Sequence, residues 1–61
     1  MSAELELSKL MVDAYTYQKN GELSLAIQAW NALLNHQAAD KDLKANAYLS
    51  LGNLHQLQGN D

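Results

Sequence analysis

The sequence predicts an all-α protein, a helical hairpin followed by one further antiparallel helix, and three observations carry that expectation. Proline is absent and glycine occupies three positions of 61, so little inside the Leu-, Ala-, Gln- and Glu-rich stretches breaks a helix. Apolar residues recur in those stretches at intervals of three and four, the spacing that lines one side of a helix. Gly21 and Gly59 fall where such stretches end.

The elements follow in order. Ser2 is placed to accept backbone N–H bonds at the start of a first helix, expected over about 3–19. Asn20 and Gly21 interrupt it, with a left-handed residue closing the helix. A second helix is expected over about 22–37, and the break Ala38, Ala39, Asp40 follows, in which Asp40 caps a third helix over about 41–58. Gly59, Asn60 and Asp61 end that one. Gly52 differs from the other glycines because it lies inside a periodic stretch.

Composition bounds what such a chain can be. A single domain over 1–61 buries only about 60% of the surface its unfolded form exposes, and a core of that size supplies roughly 3–5 kcal/mol. No cysteine is present, and His36 and His55 have no acidic ligand spaced beside them, so neither disulfide, metal nor cofactor is expected. Association with another protein, or with a second copy, is the remaining way to gain stability. Residues are 48% hydrophobic and 18% charged, with no apolar run of membrane-spanning length. Glu4 and Glu6 are foreign to a secretory or basic transit peptide, so the expectation is a cytoplasmic protein. A net charge of -3, with Lys9, Lys19, Lys41 and Lys44 the only basic residues besides histidine, argues against a nucleic-acid partner.

An offset of 38 positions carries Gly21 onto Gly59 and Ser2 onto Asp40. The same offset sets Leu5 on Leu43, Leu10 on Tyr48, Met11 on Leu49, Ala14 on Gly52, Tyr17 on His55 and Gln18 on Gln56. Internal repetition at this period marks a solenoid-type architecture. The third helix reads Tyr48, Leu51-Gly52, His55; the first reads Leu10, Asp13-Ala14, Tyr17, then Ala26 and Trp30 across Gly21. In that order and spacing the chain resembles the tetratricopeptide repeat, over about one and a half repeats. Ala38 stands where that family prefers proline, His55 replaces an aromatic, and about four extra residues lengthen the repeat by one helical turn. The resemblance implies an antiparallel helical array that serves protein–protein interaction.

The offset also exposes a difference. Helix one has a polar stripe, Glu6, Lys9, Asp13 and Thr16, along which Glu6 can reach Lys9 and Lys9 can reach Asp13. In helix three it becomes Lys44, Ala47, Leu51 and Leu54. A side that meets water in the first helix therefore meets protein in the third, and helix one is the cap of the array. Its other side, Leu10, Ala14 and Tyr17, is expected on Ala26 and Trp30. Helix two should be sandwiched, with Leu23, Ile27, Trp30 and Leu34 on one flank, Leu25, Ala29 and Ala32 on the other, and Ser24, Gln28, Asn31 and Asn35 in solvent.

Candidate interaction residues follow from these sides. Ala45, Tyr48, Gly52 and His55 are the helix-three counterpart of the packed side of helix one, and the chain reaches Asp61 before any fourth helix that would cover them. A mid-helix glycine costs about 0.5–1 kcal/mol relative to alanine, which is explained if another backbone approaches there. A homodimer crossing near Gly52, with each Tyr48 given to the other copy, would supply it. The plainer alternative is a tolerated glycine beside a half-exposed tyrosine. By the resemblance, a concave peptide groove would comprise Ser8, Met11, Tyr15 and Gln18 with Asn46, Leu49, Ser50, Asn53 and Gln56; alternatively Met11, Tyr15 and Leu49 fill the seam between helices one and three. The Lys and Asn carboxylate clamp found in one subgroup of that family is not supported, since Met11 and Tyr15 stand where its first pair would sit and Leu49 stands beside a lone Asn53.

No enzyme is expected. Ser8, Ser24 and Ser50 lack a neighbouring base, His36 is expected at the carbonyl end of helix two, and His55 stands in for an aromatic. The aromatic residues have no basic track beside them for base stacking, and Trp30 is expected in the core. Two functional classes result: an adaptor that takes another protein, or a self-assembling structural unit, which includes a designed or truncated piece of a longer array.

Overall fold

The computed structural model describes residues 3–59. It contains α1 (Ala3–Lys19), α2 (Leu23–Leu34) and α3 (Lys41–Leu57), and no strand among the described residues. The fold is all-α. The proposed cap Ser2 and the terminal Asn60 and Asp61 lie outside the described residues.

Glycine ends α1 as its position predicts. Gly21 has φ +79°; its N–H reaches the Gln18 carbonyl at 3.2 Å, and the Glu22 N–H reaches back to the Tyr17 carbonyl at 2.8 Å. These paired bonds form a Schellman motif around a left-handed glycine. At the end of α3, Gly59 has φ +78° and its N–H bonds the Gln56 carbonyl at 3.0 Å. Asp40 caps α3, its Oδ1 accepting from the Leu43 N–H at 2.9 Å.

Helix α2 is shorter than the expected 22–37. The Asn35 side-chain amide donates to the Asn31 carbonyl at 3.1 Å, and the Ala38 N–H donates to His36 Nδ1 at 3.1 Å. Side chains that bond nearby backbone offer an alternative to the helical ladder, and the chain leaves α2 at Asn35. His36 consequently lies beyond the helix and not on its last turn.

Packing is organised around α2, which contacts both α1 and α3. Among the described residues no Cα of α1 comes within 8 Å of one in α3. The Cα trace spans 39 × 21 × 13 Å. The core consists of Leu7 and Ala14 of α1, Ala26, Ala29, Trp30 and Leu33 of α2, Ala39 of the connection, and Ala47, Leu51 and Leu54 of α3. Leu10, Met11, Tyr17, Leu23, Ile27, Leu34 and Leu43 pack against it while half-buried. Ala14 and Ala26, the small residues expected where α1 meets α2, are both fully buried.

Of the two apolar flanks expected on α2, the first, Leu23, Ile27, Trp30 and Leu34, is buried or packed against the core, and the second is corrected by its burial. The buried residues of α2 form one arc, Ala26, Ala29, Trp30 and Leu33, at intervals of three and one, while Leu25 and Ala32 are exposed. The polar strip Ser24, Gln28, Asn31 and Asn35 does face solvent. A single broad arc suffices to touch two neighbours that stand apart from one another.

Candidate partner-binding surface

The two stretches that the 38-residue offset aligns, α1 and α3, use opposite sides. In α1, Glu6, Lys9 and Thr16 are exposed and Asp13 is half-buried, with Lys9 Nζ 4.0 Å from Asp13 Oδ2. At the equivalent positions of α3, Ala47, Leu51 and Leu54 are buried. The reverse holds on the other side. Leu7 and Ala14 are buried and Leu10 and Tyr17 half-buried under α2, whereas their counterparts Ala45, Tyr48, Gly52 and His55 are all exposed. The side that is covered in α1 is thus open at the aligned positions of α3.

That open side is apolar and uneven. Tyr48 is 65% exposed and Leu49 67%; Leu49 follows Ala45 by four positions and precedes Gly52 by three, so it borders the same side. A Cβ built on Gly52 would meet no atom within 4 Å, and its φ is not positive. Neither backbone conformation nor internal crowding requires glycine there. His55 lies one turn beyond Gly52, exposed like it.

The residues of the proposed peptide groove are placed differently. Tyr15 is 55% exposed and stands edge-on to Trp30 of α2, ring centroids 5.2 Å apart and planes at 89°. Gln18 Oε1 accepts from Trp30 Nε1 at 3.4 Å. Met11 and Ser50 are half-buried, and Ser8, Asn46, Leu49, Asn53 and Gln56 are exposed. Between α1 and α3 lies a shallow depression lined by Glu4, Leu7, Met11, Ala38, Asp40, Asp42, Leu43 and Asn46. Of the nine groove residues it gathers only Met11 and Asn46; Tyr15 and Gln18 are engaged with α2, and Leu49 borders the open side of α3. Leu49 fills no seam either, being exposed.

One polar tie has no signal in the sequence. His36 Nε2 lies 3.1 Å from Glu6 Oε1. Because Nδ1 accepts from the Ala38 N–H, the ring proton sits on Nε2 and is donated to the carboxylate. This joins α1 to the α2–α3 connection and replaces both the expected Glu6–Lys9 contact and a role for His36 on the helix carbonyls. Gln58 Nε2 donates to Ser24 Oγ at 3.4 Å, tying the end of α3 to the start of α2.

Among the described residues no group of three or more His, Cys, Asp or Glu is placed to hold a metal ion. No helix described is long and apolar enough to cross a membrane. No family model, curated protein or solved structure matches the chain.

Proposed function

We propose that the chain is a protein–protein interaction module of tetratricopeptide-like build that accepts an amphipathic helix on the open side of α3. The inversion of burial between the repeats carries this reading. The side that α2 covers on α1 recurs on α3 as Ala45, Tyr48, Gly52 and His55, all exposed. A helix resembling α2 is the object that suits it, since α2 itself is seated on the equivalent side of α1. Anchoring would come from apolar and aromatic groups at three- and four-residue spacing, with little contribution from charge.

A synthetic peptide of residues 22–35 serves as the probe, added to the dilute 15N-labelled chain. Shifts confined to Ala45–His55, lost in Gly52→Arg, are the expected result. A monomeric chain whose α3 resonances stay unmoved at millimolar peptide, or a Gly52→Arg variant that responds like wild type, would sink the reading.

A further inference from the structure

We propose that the open side of α3 is occupied by the same side of α3 from a second copy, antiparallel, about a two-fold axis that crosses the contact midway between Tyr48 and Gly52, at the height of Ser50 along the helix. The inference rests on α3 accepting a helix at all, and it names that helix. Tyr48 projects into solvent, and one turn further along, Gly52 leaves a hollow in which a Cβ would touch nothing. A projection and a hollow four positions apart on one helix side complement themselves. Antiparallel copies related midway between them seat each Tyr48 over Gly52 of the other, an isologous contact in which both halves are identical.

Three features fit this register. A two-fold of this kind keeps like flanks together, so exposed Leu49, one position from the axis, lies opposite Leu49 of the second copy and both are withdrawn from water. Lys41, at the start of α3 on the same side, is carried to the carbonyl end of the opposing α3, where a cation is favoured. Ala45 comes opposite His55, so the bulkier group again faces the smaller. A foreign helix would need its own projection to match the hollow at Gly52; this chain carries both members of the pair. The mid-helix glycine, without an internal reason, gains one in the close approach of the second helix.

Sedimentation equilibrium of the full chain across micromolar concentrations tests the register through paired variants. Tyr48→Ala removes the projection and Gly52→Leu fills the hollow; both sites are exposed, so each variant should keep the helical circular dichroism of wild type. Each alone should weaken self-association by about tenfold or more. Mixed in equal amounts they should associate again, because the alanine at position 48 then meets the leucine at 52 and the native pair persists at the other contact. A dimer indifferent to both variants, or no recovery on mixing, overturns the proposal. A wild-type monomer that still binds the 22–35 peptide overturns it while leaving the helix-accepting reading intact. A monomer that ignores the peptide ends both.

Discussion

Trp30 is the side chain on which most of the fold leans. It is fully buried, gives its indole N–H to Gln18 and takes the edge of Tyr15, so one residue fixes α2 against α1 by packing, hydrogen bonding and ring contact together. Truncation of a buried tryptophan removes about 3–5 kcal/mol, comparable with the roughly 3–5 kcal/mol that a core of this size supplies. Trp30→Ala should therefore abolish the cooperative thermal transition followed at 222 nm; retention of a wild-type midpoint would show that the hairpin is not held this way. Gly52 gives the opposite expectation. With open space around its Cβ position and ordinary helical backbone, alanine there should stabilise the dilute monomer by about 0.5–1 kcal/mol. Urea titration at low micromolar concentration measures it, and a loss of stability would mean that an internal neighbour occupies that space.

The helices are legible in the sequence where punctuation is local, and less so where it depends on several weak signals. Gly21 and Asp40 mark their boundaries because a left-handed glycine and a capping carboxylate act on backbone groups within a few residues. Asp40→Ala should cost about 1 kcal/mol, with faster amide exchange over Leu43 and the first turn of α3 than elsewhere; uniform exchange across the chain would place the loss outside the cap. The end of α2 is harder to read because Asn35 and His36 are tolerable in a helix and only their particular side-chain bonds draw the chain away. Leu33 escapes for the same kind of reason: two narrow apolar flanks describe the composition of α2, whereas its neighbours require one arc that includes Leu33. The exposed side of α3 can be read from the 38-residue offset, since aligned residues in α1 and α3 differ in the polarity of the opposite stripe. The groove cannot, because its existence depends on the distance between α1 and α3, which no periodicity encodes.

The assembly of the three helices places α2 between its neighbours and leaves α1 and α3 without backbone approach. Apart from the Trp30–Gln18 bond, the long-range side-chain ties named among the described residues are peripheral. His36 to Glu6 is a half-exposed pair, and pairs of that kind contribute about 0–1 kcal/mol, so Glu6→Ala, which removes the acceptor, should lower the urea midpoint only slightly while freeing the His36 ring, visible as sharper imidazole cross-peaks. A loss comparable to that of Trp30→Ala would instead make the pair a principal fastening. Association of two chains can contribute more than any of these ties. If two copies cover one another through Tyr48, Leu49 and Gly52, folding is linked to association, and above the dissociation constant each tenfold rise in concentration adds about 1.4 kcal/mol per mole of dimer. Wild type should melt at a midpoint that climbs with concentration, whereas Gly52→Leu, gaining helix propensity and losing the hollow, should melt higher than wild type when dilute and stay there when concentrated. The two melting curves then cross as concentration rises. Parallel midpoints for both proteins, at every concentration from micromolar upward, would show that the stability of this fold is settled within one chain.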